Sequence, residues 1–168
     1  MLKTDKQLLF KEVMGNYPTG VTIVTTTSED GKPVGLTVNS FASVSLDPLM
    51  VLWCIDHKVS SFNDFIKSGQ FVVHILAGEQ QELCKTFASK GVDRFSKCHW
   101  AFSDNKLPII EGTFAVLQCK TYKTVEAGDH TILIGEVQEI QIDSNKDPML
   151  YHRRHFASIP PEFYTTKN

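Results

Sequence analysis

Leu8, Leu9, Phe10, Val13 and Met14 recur at roughly helical spacing, so a short first helix is expected, closing near Gly15-Asn16, where a left-handed residue is tolerated. Thr4 and Gln7 have the spacing of a capping box at its start. From Gly20 the pattern changes to a β-branched run over 21–27, followed by the loop Ser28-Glu29-Asp30-Gly31-Lys32-Pro33 and a return strand from Val34, which together read as a hairpin. The seven consecutive apolar residues at 49–55 predict a strand buried on both faces, central in the sheet or against another subunit. Val59, Phe62, Phe65 and Ile66 return to helical spacing and stop near Ser68-Gly69, a strand-like run follows at 71–76, and a further helical stretch covers about 79–89.

The last third predicts two long strands, about 113–125 and 131–142, joined through residues 126–130. In the second, Ile132, Ile134, Ile140 and Ile142 share one parity while Thr131, Glu139 and Gln141 share the other, the pattern of a half-exposed strand. Hairpin spacing with only short intervening helices disfavours parallel βαβ crossovers. The expected fold class is therefore mainly β, an antiparallel barrel or sandwich with peripheral helices. No repeat or linker divides the chain, so residues 1–168 are read as one domain with a core over about 8–157 and a polar C-terminal tail.

Composition narrows the function classes. With 17 Lys and Arg against 19 Asp and Glu, scattered rather than bunched, the net charge of −2 gives no footprint for nucleic acid. No apolar run approaches a bilayer span and the N-terminal residues lack a signal peptide's apolar centre, so no membrane association and a cytoplasmic location are expected. The four cysteines, Cys54, Cys84, Cys98 and Cys119, form no C-x-x-C pair and are expected as reduced, mostly buried thiols. Cys98-His99 and His74 invite a metal reading, but no further ligands stand at familiar spacing, and no metal is expected. Nucleophile elbow, P-loop, zincin helix and Rossmann fingerprint are all missing from the sequence.

Four stretches could carry chemistry. Residues 37–45 place Thr37, Asn39, Ser40, Ser43 and Ser45 in or just after a strand, where hydroxyls, an amide and backbone N–H groups can hold a phosphate or the polar edge of a heteroaromatic ring; the same residues are also ordinary in strands and turns. Ser60-Ser61-Phe62 opens a helix, either to meet an anion or simply as N-cap and core. Gly128-Asp129-His130 sets a histidine at a strand mouth, as a donor to a ligand or as a solvated hairpin residue. Tyr151-His152-Arg153-Arg154-His155-Phe156 could contact a phosphate or a planar ring, or form a solvated helix end.

Taken in order, Tyr17-Pro18-Thr19-Gly20-Val21, residues 37–48, Ser60-Ser61-Phe62, Asp93-Arg94-Phe95 and Gly128-Asp129-His130 resemble the flavin reductase family, which includes the reductase components of two-component flavin monooxygenases. The resemblance runs from about residue 8 to about 157. It implies an antiparallel split β-barrel of the FMN-binding type, usually a homodimer, that binds FMN or FAD and reduces it with NADH or NADPH, possible onward delivery being to a monooxygenase. By position, Thr37, Val38, Asn39, Ser40 and Ser43 would line the flavin's phosphate and ring edge. Ser60, Ser61 and Phe62 would close over the phosphate or ribityl side, and Phe95 with Arg94 would touch the flavin from a loop. His130 would sit at the nicotinamide site and position that ring, hydride transfer itself being the chemistry of the two cofactors. Trp53-Cys54 departs from the commoner pattern, and the segment 151–154 matches the family's C-terminal aromatic and basic segment only loosely. A non-catalytic FMN-binding electron carrier on the same barrel is the alternative, and an oxidase of the pyridoxamine-phosphate type a third reading.

Overall fold

The first helix, α1 (Lys3–Asn16), leads through a two-residue strand β1 (Thr19–Gly20) into the expected hairpin, β2 (Thr22–Thr27) and β3 (Pro33–Val38). Its turn uses Gly31 at φ 79°, a conformation that costs glycine no Cβ clash. Then come β4 (Ala42–Leu46), β5 (Leu49–Asp56), α2 (Phe62–Ser68), β6 (Gln70–Ile75), α3 (Gln81–Ala88) and a 3-10 turn at Phe95–Lys97. A small hairpin, β7 (Trp100–Phe102) and β8 (Pro108–Ile110), precedes the long pair β9 (Ala115–Ala127) and β10 (His130–Ile142), and a last hairpin, β11 (Met149–His152) and β12 (His155–Ser158), pairs with β1. This computed structural model describes residues 3–164, with side chains from residue 5 onward. The capping box therefore rests on a Thr4 side chain outside the described residues, as does the end of the polar tail.

Seven strands form one sheet in the order β3-β2-β6-β9-β10-β5-β4, with every neighbouring pair antiparallel. The two edge strands do not pair with each other, so the mainly β fold is a split rather than a closed barrel. Its interior is filled by Trp53, which meets Phe65 and Phe71 edge-on with ring centroids 5.0 and 5.8 Å apart. Phe71 lies so close to β10 that only glycine fits at 135: a Cβ there would run into the Phe71 ring and come within 3.0 Å of Cys119 Cβ. A second cluster, with Ile23, Leu76, Phe87 and Met149 at its centre, seats α3 against the sheet and continues into Phe95 and Trp100. No helix among the described residues is long and apolar enough to cross a membrane.

Three expectations need correction. β5 is not buried on both faces but alternates: Val51, Trp53 and Ile55 point into the core, while Met50, Leu52 and Cys54 are only half-buried, because β5 stands next to the edge strand β4. In β10 the isoleucine parity is the more exposed one. Thr131, Leu133 and Gly135 face the interior, and Ile140 and Ile142 lie beyond two register shifts, where β10 is exposed although the paired end of β9 remains mostly buried. Residues 151–156 form the β11–β12 hairpin, not a helix end, with Arg153 and Arg154 as the turn at φ 50° and 65°.

His74 is fully buried with both ring nitrogens spent on backbone: Nδ1–H donates to the Ile23 carbonyl at 3.0 Å, and Nε2 accepts the Ile110 N–H at 3.0 Å. It thereby fastens β8 to β2 and β6, a structural use that takes up the nitrogens a metal would need. Burial pushes its pKa down from 6.5 to about 4, the Ile23 bond opposing only in part. Because the folded pKa lies below the unfolded one, the unfolded state binds the extra proton. Stability is thus unaffected by this group above about pH 6.5 and falls, by up to about 3 kcal/mol, as pH drops towards 4. An imidazole resonance of His74 that stays neutral at pH 5.5, where an unperturbed histidine is mostly charged, is the expected NMR result; titration near 6.5 would contradict it.

Candidate functional site

The edge strand β3 does not end in solvent. The Thr37 hydroxyl donates to the Cys84 carbonyl of α3 at 2.7 Å, and the Ser40 hydroxyl accepts the Cys54 N–H of β5 at 2.9 Å while lying 3.3 Å from the Cys54 carbonyl. Arg94, from the loop after α3, donates Nη1–H to the Gly35 carbonyl at 2.6 Å and Nη2–H to the Ser89 carbonyl at 2.7 Å. Between these ties lies a cleft of about 670 Å³, walled by Leu36 and Thr37 on one side, Asp56, Lys58, Val59 and Ser60 on another, and Ala88, Lys90 and Arg94 on the third. Two smaller hollows open from it. One, of about 230 Å³, shares Thr37 and Ala88 with the cleft and adds Val38, Asn39, Cys84 and the tilted aromatic pair Tyr151 and Phe156. The other, of about 290 Å³, shares Ser60 and Arg94 and adds Ser61 and Phe95.

The cleft is electropositive. Lys58, Lys90 and Arg94 line it against the single carboxylate of Asp56, which already accepts the Lys58 backbone N–H at 2.8 Å. Among the described residues no carboxylate pairs with Arg94; carbonyl oxygens hold its guanidinium in place without neutralising it, and its Nε–H is buried with no acceptor. Burial lowers its pKa, as expected of a cation partly withdrawn from water with no counter-ion. Ser61 stands at the N-cap position of α2 but makes no capping bond, and its hydroxyl is buried with no partner, the residue being only 8% exposed. The simple N-cap reading of Ser61 therefore fails. A buried hydroxyl and a buried guanidinium N–H, both unspent, suit a phosphate-bearing ligand, although Asp64 and Asp93 also line the hollow that holds Ser61 and Arg94.

The sequence candidates divide by place. Thr37, Ser60 and Arg94 meet in the cleft; Val38 and Asn39 join them in one side hollow, Ser61 and Phe95 in the other. Val38 also packs on the core and accepts the Thr22 hydroxyl on its carbonyl at 3.0 Å. Phe62 packs on the same core, and Phe95 lies edge-on between Phe87 and Trp100, each 5.2 Å away. Ser40 has its hydroxyl tied to Cys54, and Ser43 is exposed on β4, outside these three hollows. His130 begins β10 directly across from Asp56 in the ladder, at the cleft's rim, with its side chain 42% exposed and Nδ1 at 2.7 Å from Asp129 Oδ1. That hydrogen bond holds the Asp129 carboxyl below its ordinary range.

Sequence reasoning missed Lys58 and Lys90, which are basic residues close beside the Ser60-Ser61 and Arg94-Phe95 motifs, and it missed His57. It also missed Cys84, whose thiol burial pushes up to about 11, so that at neutral pH it is an uncharged part of the wall. A further cavity of about 480 Å³, around Gln70, Gln118 and Glu139, holds none of the sequence candidates. Ser61→Ala removes an unspent hydroxyl, so the expected outcome is a flavin dissociation constant raised about tenfold or more with no loss in Tm. Unchanged affinity with a lowered Tm would make the hydroxyl a part of the fold instead.

Comparison with known proteins agrees with this geometry. Residues 14–160 match the flavin reductase like domain. A flavin reductase of Pseudomonas putida is 44% identical over 150 residues, 89% of this chain and 88% of that protein. Nitrilotriacetate monooxygenase component B from Mycobacterium thermoresistibile superposes with a TM-score of 0.91 at 36% identity, covering 99% of this chain and 94% of the other. An NADH:FAD oxidoreductase of Streptomyces globisporus, solved in complex with NAD and FAD fragments, gives a TM-score of 0.89 at 32% identity, with 96% and 98% covered. The chain belongs to the flavin reductase family and is an oxidoreductase that acts on flavin.

Proposed function

We propose that the chain binds FMN or FAD along the cleft between β3, α2 and the Arg94 loop, and reduces it at the expense of NADH or NADPH. The observation that carries this reading is the pair of unspent buried donors, the Ser61 hydroxyl and Arg94 Nε–H, which line one hollow beside a cleft that carries Lys58, Lys90 and Arg94. Bound flavin supplies the chemistry, accepting a hydride from the nicotinamide. The protein's part is to place the two. Ser60, Ser61 and Arg94 hold the phosphate; Thr37, Val38 and Asn39 meet the ring along β3; and the rings of Tyr151 and Phe156 close the apolar end. His130, whose ring is steered by Asp129 at the rim, orients the nicotinamide by a hydrogen bond, a contribution made through alignment. Component B of a monooxygenase among the relatives supports delivery of the reduced flavin to a monooxygenase.

The homodimer implied by the resemblance has support in uncovered apolar surface. On α1 alone, Leu8, Leu9, Phe10, Val13 and Met14 are all exposed, apolar surface that a second subunit would cover. Sedimentation at micromolar concentration is expected to give twice the chain mass of 18.9 kDa; a monomer would overturn the assembly.

Purified protein given NADH or NADPH and excess FMN or FAD is expected to oxidise many equivalents of nicotinamide, and the fastest pair identifies the preferred substrates. Tightly retained flavin that neither nicotinamide reduces would favour the electron carrier. His130→Ala is expected to raise the nicotinamide KM about tenfold while the flavin dissociation constant moves less than about twofold; equal changes in both would remove the proposed role.

A further inference from the structure

The turn that carries His130 is fixed by a second histidine outside the family motifs. His57 follows the last residue of β5, and its backbone N–H donates to the Asp129 carbonyl at 3.1 Å. Its ring reaches the other side of His130: Nε2 lies 3.0 Å from Thr131 Oγ1 and 3.4 Å from Glu126 Oε2. The Thr131 hydroxyl donates its own proton to Glu126 Oε1 at 3.2 Å, so Nε2 of His57 carries the hydrogen that completes the cluster. The same ring meets Phe62 edge-on at 5.2 Å, at the first residue of α2. Both chain neighbours of His130 are thus held by His57, and one of them, Asp129, holds the His130 ring.

We infer that His57 is a positioning residue for nicotinamide binding: it braces the 126–131 turn against α2 and so fixes the direction of the His130 ring, whose ladder partner Asp56 lines the cleft. The inference rests on the reading of His130 as the nicotinamide-orienting group. The carboxylates of Glu126 and Asp129 are each 80% exposed, so the ionic contacts add little to global stability. The β9–β10 ladder keeps the turn folded without them. What the brace supplies is alignment at one side chain, and its loss shows in the substrate that side chain meets.

A double-mutant cycle of His57→Ala and His130→Ala, with His57→Gln as the conservative variant, tests this. His57→Ala is expected to raise the nicotinamide KM about three- to tenfold, leaving kcat and the flavin dissociation constant within about twofold. His57→Gln, whose amide can donate to Thr131, restores most of the loss. If His57 acts through His130, the double variant has the same nicotinamide KM as His130→Ala alone. Independent, multiplying effects of the two substitutions would overturn the inference while leaving the role of His130 intact, and so would an unchanged KM in His57→Ala or a parallel loss of flavin affinity and Tm. If His130→Ala alone leaves the nicotinamide KM unchanged, the reading of His130 falls and the inference falls with it.

Discussion

The site depends on the unclosed edge of β3. An edge strand in a curved sheet presents backbone groups that must be covered, and here no strand covers them. Arg94 covers the Gly35 carbonyl of β3, while the Thr37 hydroxyl ties the strand to the Cys84 carbonyl of α3 and the Ser40 hydroxyl serves the Cys54 N–H of β5. Side chains are less continuous than a β-ladder, and the space left between them is the cleft. One residue, Arg94, both caps the edge and leaves a positive charge beside it, so the barrel's split and the positive charge of the cleft have a common physical origin.

Three histidines show how environment divides one side chain's uses. His74 is dry and fully bonded to backbone, is held neutral, and acts as a fastener. His57 shares its Nε2 between a buried threonine and an exposed glutamate and transmits position. His130 has one nitrogen engaged by Asp129 and stands half-exposed across the ladder from Asp56 of the cleft wall. The roles of His74 and His57 are not legible in the sequence, since both depend on partners distant in the chain, whereas His130 is held by its own neighbour Asp129.

Much of the architecture was legible because the β-branched run of β2, the turn at Gly31 and the long β9–β10 pair are decided by local pattern. The ordered motifs also brought Thr37, Ser60 and Arg94 to one cleft, with Asn39 and Ser61 beside it. What was not legible depended on packing between elements. The interior face of β10 is set by the contact between Gly135 and Phe71, not by its isoleucines, and Ile140 and Ile142 lie on the exposed end of β10, past two register shifts. The β11–β12 turn is made by two arginines in left-handed conformation, with none of the glycine or asparagine that normally announces such a turn. The hydroxyls of Thr37 and Ser40 read equally well as ligand groups or strand residues, and only the structure shows them donating to or accepting from backbone across the split.

A crystal structure of the protein with flavin bound tests the central claim most directly. The account predicts the phosphate against the Ser61 hydroxyl and Arg94, with the ring along β3 between Thr37 and Asn39. Flavin density in the cavity around Gln118 and Glu139, or a phosphate directed away from Arg94 into solvent, would contradict it.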